Sequence, residues 1–179
     1  MKKIIYKITR KILILINYKD LMNFDIEYYR SKGVKIGENA RIFSNIITPE
    51  PYLLTIGNNV TISTGVNFIT HDNSVSKCSE HITDNFGKIF IGDKCFIGLN
   101  SIIMPGVYLG NNTIVAAGAV VTKSFINGNV VIGGNPAKII MTFEEFKNKS
   151  IKNSLNTKGM TFEKKREYIL NSCKVDYKK

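Results

Sequence analysis

A six-residue repeat runs through the middle of this chain. It begins at Ile36 with IGENAR and IFSNII, and it resumes at Ile56 with IGNNVT, ISTGVN and FITHDN. After SVSKCSEHITDNFGKIF it continues from Ile91 as IGDKCF, IGLNSI, IMPGVY, LGNNTI, VAAGAV and VTKSFI. Nearly every block opens with Ile, Leu, Val or Phe, and most carry a small or slim residue at the fifth place. A period of six matches neither the 3.6 of an α-helix nor the simple alternation of a strand.

A repeat this short predicts a solenoid whose flat faces are short parallel strands. The first residue of each block would point into a narrow core, the fifth position would admit only a slim side chain, and Gly or Asn would supply the turns. Because each coil buries its apolar edge only against the next coil, both ends of the stack need caps. The fold class is therefore predicted to be mainly β, with helical segments at both ends.

The pattern divides the chain into three parts. Residues 1–30 form an N-terminal helical segment, residues 31–140 form the solenoid domain with a loop excursion at 72–88, and residues 141–179 form a helical tail. Thr142 and Glu145 match a capping box at the start of the tail, and a second tail helix is predicted near Thr161.

The N-terminal stretch MKKIIYKITRKILILINYKD combines basic and aliphatic residues. Its uninterrupted apolar run, residues 12–16, is too short for a signal peptide or a membrane span. The stretch instead predicts an amphipathic helix. That helix either packs on the end of the solenoid as a cap or lies on a membrane surface.

Charge and cysteine content narrow the classes of function. The net charge of +11 favours anionic partners such as nucleotides, phosphorylated cofactors or a membrane surface. The basic residues are dispersed and accompany no nucleic-acid motif, so we expect no nucleic-acid partner. Cys78, Cys95 and Cys173 form no CxxC pair, which argues against a zinc ribbon and favours the reducing cytoplasm.

The repeats resemble the hexapeptide-repeat acyltransferases, whose fold is a left-handed parallel β-helix. The similarity covers residues 33–140, and the phrases EPYLLTIGNNVTISTGVNFITHD, FGKIFIGDKCFIGLNSIIMPGVYLG and GGNPAKII carry it. Among that family the chain is most similar to O-acetyltransferases of maltose, galactosides and bacterial surface polysaccharides such as capsule and O-antigen. The resemblance implies acetyl-CoA as co-substrate, no metal, a sugar or polysaccharide acceptor, and a homotrimer with active sites between subunits.

His71 is one of two histidines and ends the last regular block before the excursion. Neutral imidazole is well suited to removing a proton from an acceptor hydroxyl near pH 7. The resemblance implies that His71 is the general base of a direct transfer without an acyl-enzyme; His81 is the second choice. We favour Asp84 as the group that orients the ring, while Asp72, Glu80, Asn85 and a backbone carbonyl stay open. The residues expected to meet the acceptor are Asp72, Asn73, His81 and Asn85.

The resemblance also implies a set of cofactor contacts on the later repeats. Phe96 stands where the family usually has Trp packed on the pantetheine arm, so the indole N–H is missing here. Gly98 lies beside it, and the backbone N–H of Leu99 matches the family's oxyanion donor. The small Ala117 and Gly118 would line the cofactor's amide chain. The positions that meet the phosphates and adenosine of CoA in the family match Thr122, Lys123 and Lys138. The turn at this end contains Asn135 and Pro136.

Other functions fit the sequence less well. A γ-class carbonic anhydrase needs three histidines on zinc, and the chain has two, so that function is excluded. N-acetylation of a nucleotide-linked amino sugar is the main alternative, acetylation of an antibiotic is a more distant one, and a non-enzymatic scaffold represents a different class. We expect a cytoplasmic protein, either free or peripheral at the inner face of the cytoplasmic membrane.

Overall fold

The structure is a computed structural model that describes residues 3–18, 20–152 and 154–172. The chain divides into two compact units, Met1–Glu144 and Glu145–Lys179. The three-part division drawn from the sequence stays a prediction. Cys173 lies outside the described residues.

Three sheets, which we call faces A, B and C, form the body of the first unit. Face A contains β1 (Lys35–Ile36), β3 (Leu54–Ile56), β8 (Ile89–Ile91) and β11 (Tyr108–Leu109). Face B contains β2 (Arg41–Ile42), β4 (Thr61–Ile62), β9 (Phe96–Ile97), β12 (Ile114–Val115), β14 (Val130–Gly134) and β15 (Ala137–Thr142). Face C contains β5 (Asn67–Phe68), β10 (Ile102–Ile103) and β13 (Val120–Val121). Along the chain, the regular coils visit the faces in the order A, B, C.

The register shows that three six-residue blocks make one coil. Ile91 pairs with Leu109, Phe96 with Ile114 and Ile102 with Val120, all in parallel strands and all 18 residues apart. This arrangement is a three-faced parallel β-helix. The left-handed winding stays a prediction from the resemblance.

Burial follows the predicted six-residue pattern. First-position side chains such as Ile62, Ile97 and Val115 are fully buried, which confirms that they point into the core. Most fifth positions are buried as well and hold a small or slim residue, whereas Ile46 and Asp72 are half-buried. At this position the Ser101 and Thr113 hydroxyls donate to the carbonyls of Gly98 and Gly110, which satisfies both buried oxygens.

The fourth position of a block makes the turn between faces. Eight of these positions have a positive φ, the left-handed conformation that Gly and Asn adopt at least cost: Asn39, Asn59, Gly65, Lys94, Asn100, Gly106, Asn112 and Gly118. His71 is the fourth residue of FITHDN, but it lies in a strand. The chain therefore leaves the regular coil at His71.

The excursion is more regular than the sequence predicts. β6 (His71–Asp72) pairs antiparallel with β7 (Asn85–Phe86), and a short 3₁₀ helix, Ser74–Lys77, follows β6. The ladder closes the excursion at its base, since the Gly87 N–H donates to the Thr70 carbonyl. The excursion is thus a stem with a loop rather than an irregular segment.

Two helices precede the β-helix, α1 (Lys3–Leu15) and α2 (Leu21–Ser31). α2 places Ile26 and Tyr29 in the hydrophobic core, so α2 caps this end of the stack. α1 attaches to α2 mainly through Tyr6, whose hydroxyl donates to Asp25 at 2.7 Å. Its aliphatic side chains stay exposed; Leu15 is 84% accessible. The aliphatic face of α1 is therefore not used as a cap.

The C-terminal end begins with β14, which turns back into β15 in an antiparallel pair. Two helices follow, α3 (Phe143–Ile151) and α4 (Phe162–Ser172), and none of their described residues is buried. The N–H of Lys164 donates to the Thr161 hydroxyl, which matches the predicted start of the second tail helix. Within the described ranges, no helix has the length and apolar character that a bilayer crossing requires.

The burial pattern gives a stability prediction. Ile97→Ala should lower the free energy of unfolding by about 2–5 kcal/mol, because it leaves a cavity in place of a fully buried side chain. Ile126→Ala, at a side chain that is 71% exposed, should change it by less than about 0.5 kcal/mol. Urea unfolding of both variants measures the difference. Equal decreases in the free energy of unfolding would contradict the assigned core.

Candidate active site

A cluster of hydrogen-bonded polar side chains surrounds His71 at the start of the excursion. The Nδ1 atom of His71 lies 2.8 Å from Oε2 of Glu50. The Thr70 hydroxyl donates to the same carboxylate oxygen at 2.6 Å, and the hydroxyl of Thr48 is hydrogen-bonded to that of Thr70. The side chain of Glu50 is 13% exposed and that of His71 is 31% exposed. The carboxylate is thus fixed by several contacts, while the ring keeps access to solvent.

This geometry sets the tautomer of the ring. A carboxylate can only accept a hydrogen bond, so Nδ1 of His71 carries the proton that faces Glu50. In the neutral ring, Nε2 then holds a free lone pair. His71 is therefore prepared to accept a proton at Nε2.

The charges around the ring make it more basic. The hydrogen bond to Glu50 raises the pKa of His71 above its ordinary value, and the charges of Glu50, Asp84 and Asp72 add to this against an opposing effect of burial. The pKa of Glu50 is lowered, first by the hydrogen bond from Thr70 and then, against an opposing effect of burial, by the hydrogen bond and the charge of His71. The carboxylate thus stays ionised while the imidazole gains proton affinity.

Glu50, not Asp84, is the carboxylate that is hydrogen-bonded to His71, whereas the sequence favoured Asp84. Asp84 acts on the ring through its charge alone. Sequence reasoning considered only neighbours on the excursion and missed Glu50, 21 residues earlier. The length of this coil was a usable signal. Arg41 pairs with Thr61 at an offset of 20 residues, so a residue about 20 positions before His71 lies beside it in the stack. Glu50 precedes β3 at the same corner of the prism, one coil before His71.

The residues predicted to meet the acceptor lie around the stem of the excursion. Asp72 is opposite Asn85 in the β6–β7 ladder, and its carboxylate accepts the Ser74 N–H at 2.8 Å. Asp72, Asp84 and Asn85 line a cavity of about 290 Å³ together with Val75 and Ile82.

The other predicted acceptor residues are more peripheral. Asn73 and His81 are exposed, and the backbone N–H of His81 donates to the Ser79 hydroxyl. One aromatic residue was missed by sequence reasoning: the exposed Phe86 ring lies 5.6 Å from the His71 ring, centroid to centroid. Phe86 is opposite His71 in the ladder, a pairing that only the folded stem reveals.

Four of the predicted cofactor residues lie together on two successive coils. The Gly118 N–H donates to the Leu99 carbonyl at 2.7 Å. A Cβ on Gly98 would stand 2.6 Å from the amide nitrogen of Ala117, so coil stacking itself requires glycine there. Among the described residues, the N–H of Leu99 donates to no backbone or side-chain acceptor, and Phe96 is 43% exposed.

The remaining cofactor residues lie further along the stack. Thr122 and Lys123 are exposed directly after β13, and the Lys123 ammonium is 5.7 Å from the centroid of the Phe125 ring. Asn135 and Pro136 form the turn between β14 and β15, and the exposed Lys138 is near the start of β15.

His71 and three of the predicted cofactor residues occupy different corners of the prism. His71 follows face C and precedes face A, whereas Leu99, Ala117 and Gly118 lie between faces B and C. No hydrogen bond or ring contact in the described part of the chain joins the two groups. Across residues 3–18, 20–152 and 154–172, no cluster of three His, Cys, Asp or Glu residues could hold a metal ion.

The fold and this constellation define a hexapeptide-repeat transferase, and comparisons with known proteins agree. A family model described as the hexapeptide repeat of succinyl-transferase matches residues 88–123. Protein CapG of Staphylococcus aureus is 42% identical over 181 residues, which cover 97% of each chain. WcaF of Escherichia coli K12, named for acetyl transfer in colanic acid biosynthesis, is 32% identical over 130 residues, or 60% of this chain and 69% of WcaF.

A solved structure supports the same assignment. A hexapeptide-repeat acetyltransferase of Vibrio cholerae, complexed with acetyl coenzyme A, superposes with a TM-score of 0.53 at 26% identity over 62% of this chain and 61% of that one. The chain therefore belongs to the family of hexapeptide-repeat acetyltransferases.

The assigned hydrogen bond predicts how His71 titrates. Glu50→Gln should lower the pKa of His71, because it removes the carboxylate that stabilises the imidazolium form. Asp84→Asn should lower it less, since Asp84 acts only through its charge. Proton–nitrogen NMR of the imidazole groups measures both, and His81→Gln leaves a single histidine to assign. A His71 pKa unchanged by Glu50→Gln would contradict the hydrogen bond.

Proposed function

We propose that this enzyme transfers the acetyl group of acetyl-CoA to a hydroxyl of a sugar in a bacterial surface polysaccharide or its precursor. The observation that carries the proposal is the His71 ring, held by Glu50 through Nδ1 and open at Nε2, where the excursion leaves the coil. The relative solved with acetyl coenzyme A supports the donor, and the relative named for colanic acid biosynthesis supports the class of acceptor.

The reaction needs a base because a sugar hydroxyl is a poor nucleophile until its proton is removed. Nε2 of His71 takes that proton as the hydroxyl oxygen attacks the thioester carbon. The resulting tetrahedral intermediate collapses by breaking the carbon–sulfur bond, and the imidazolium returns the proton to the thiolate of CoA. Glu50 keeps Nδ1–H in place and stabilises the imidazolium that forms between the two steps.

Negative charge develops on the thioester oxygen during the attack, and a fixed donor would stabilise it. The N–H of Leu99 suits this role because it is on a rigid coil and makes no hydrogen bond within the described residues. The flanking Ala117 and Gly118 leave the edge of the coil open for the pantetheine arm, with Phe96 as an apolar neighbour. Lys123 and Lys138 would meet the CoA phosphates.

The corner geometry supports a homotrimer. His71 and the Leu99 N–H are at different corners of one prism, and we infer that one acetyl group contacts them on two neighbouring subunits. A cyclic arrangement of three prisms places a corner of one subunit beside a different corner of the next. Each active site would then combine His71 of one protomer with the cofactor residues of its neighbour.

We also place the enzyme at the inner face of the cytoplasmic membrane. α1 contains four cations and no acidic residue, and its aliphatic side chains are exposed, as for a helix that lies in a membrane interface. Surface glycans assembled at this membrane would present their hydroxyls there.

Kinetics test the mechanism. His71→Ala should lower kcat about 10²- to 10⁴-fold, the usual contribution of a general base. Leu99→Pro, which removes one N–H, should lower kcat about 10²- to 10³-fold. Proline is tolerated at this third position of a block, because Pro105 holds it in IMPGVY, and Leu99→Ala keeps the N–H as a control.

Thiol release from acetyl-CoA across a panel of sugars provides the assay. The base must be neutral, so activity should fall as pH drops through the raised pKa of His71. In Glu50→Gln this acidic limb should move to lower pH while the maximal rate falls. Full activity of His71→Ala on every acceptor would exclude the proposed role.

A further inference from the structure

A basic groove lies between the two N-terminal helices and the segment of residues 45–51. It has a volume of about 760 Å³ and contains no Asp or Glu among its lining residues. Its cationic lining residues are Lys3, Lys7, Arg10, Lys11 and Lys32. We refer to it as the N-terminal groove.

Most of this positive charge is not compensated locally. Arg10 is paired with the buried carboxylate of Asp25 at 2.8 Å, and this contact anchors α1. Lys3, Lys7 and Lys11 follow one another at intervals of four and so share a side of α1. Within the described ranges they form no ion pair, and neither does Lys32, whose ammonium is 5.6 Å from the centroid of the Tyr28 ring. Such a site attracts a ligand with more than one negative charge.

The groove is continuous with the segment that holds the catalytic base. Thr48, Pro49 and Pro51 line the groove, and they flank Glu50 on both sides. Thr48 is also hydrogen-bonded to Thr70, the residue before His71. A sugar attached to an anion bound in the groove would therefore extend along residues 48–51 toward His71.

A second feature indicates what else the ligand contains. Ile8 lines the groove, and the neighbouring aliphatic side chains of α1 are exposed, including Ile4 at 72%, Ile12 at 52% and Leu15 at 84%. A nucleotide would use the cations but would leave these side chains in water. A phosphate that joins a sugar to a lipid at a membrane surface accounts for both the cations and the exposed aliphatic side chains. The cations meet the phosphate, and the aliphatic face meets the hydrocarbon.

We propose that the N-terminal groove binds the phosphate or diphosphate that links the sugar acceptor to a membrane lipid. This rests on the proposed function, because the bound sugar is the acceptor whose hydroxyl His71 activates. The groove thereby selects lipid-linked acceptors over free sugars. Its cations act on binding and leave the chemistry at His71 unchanged.

The test compares three variants. The groove variant is Lys7→Gln, Lys11→Gln, Lys32→Gln, and the charge-matched control is Lys158→Gln, Lys164→Gln, Lys165→Gln on exposed residues of the second unit. A third variant, Ile4→Ser, Ile12→Ser, Leu15→Ser, removes aliphatic contacts and keeps the charge. The acceptors are one sugar in three forms: a methyl glycoside, a uridine diphosphate conjugate, and a prenyl diphosphate conjugate in neutral phosphatidylcholine vesicles.

The groove variant should raise the apparent KM for the prenyl-linked sugar about tenfold or more, as expected for lost contacts to a charged group. The aliphatic variant should raise it as well, while kinetics with the methyl glycoside stay unchanged in all variants. An unchanged KM in the groove variant would overturn the proposal. The lipid would be overturned as the source of the phosphate by a different result. In that result the groove variant raises the apparent KM equally for the uridine diphosphate conjugate, and the aliphatic variant has no effect.

Binding measurements separate this proposal from the proposed function. If no form of the sugar is acetylated, the proposed function fails, and calorimetry with inorganic diphosphate still tests the groove. Binding that the groove variant loses and the control keeps would support the site. Equal binding by both variants, or none by the wild type at low salt, would overturn it.

Discussion

The stacking of 18-residue coils is the constraint on which the rest of the structure depends. Each coil buries the first and fifth residues of its blocks against the next coil, and the fourth residue turns the chain at a corner. Neighbouring strands in such a stack lie about 4.8 Å apart, so a residue's place in the repeat fixes both its corner and its height. Gly98 shows how tight this is, because even one added carbon would collide with the next coil.

The proposed catalytic base, His71, lies at a break in this pattern. At the place of a turn residue, His71 continues as a strand and begins a paired stem. Its ring thereby reaches the edge of the prism, where Glu50 from the preceding coil holds Nδ1. The hydrogen bond between Nδ1 and Glu50 orients the ring, and a general base must lie within hydrogen-bond reach of the proton that it removes.

The sequence predicted the features that repeat and missed those that depend on contacts across coils. The buried first positions, the β-strands and the turn residues follow from the six-residue pattern, and His71 stood out because the pattern stops there. Glu50 did not stand out, because it lies outside the excursion and meets His71 only across the offset of one coil. The pairing of His71 with Phe86 likewise requires the folded stem.

The N-terminal segment shows a different limit of sequence reasoning. Its amphipathic pattern predicted a helix correctly but left open what its aliphatic face contacts. In the structure the core is closed by α2, through Ile26 and Tyr29, so the aliphatic residues of α1 are free for another role. Tyr6 and Arg10, which both contact Asp25, lie on the inward side of α1, whereas hydrophobicity alone would have placed the aliphatic side inward.

We propose that the active site is completed between subunits, because His71 and Leu99, the proposed base and oxyanion donor, occupy different corners of one prism. Subunit complementation tests this most directly. His71→Ala and Leu99→Pro protomers, co-expressed with two different tags and purified through both, form mixed assemblies of two inactive chains. In a cyclic trimer about one site in three then combines an intact His71 with an intact Leu99 N–H, and activity should return to roughly that fraction of wild type. Mixed assemblies no more active than either parent would contradict the claim.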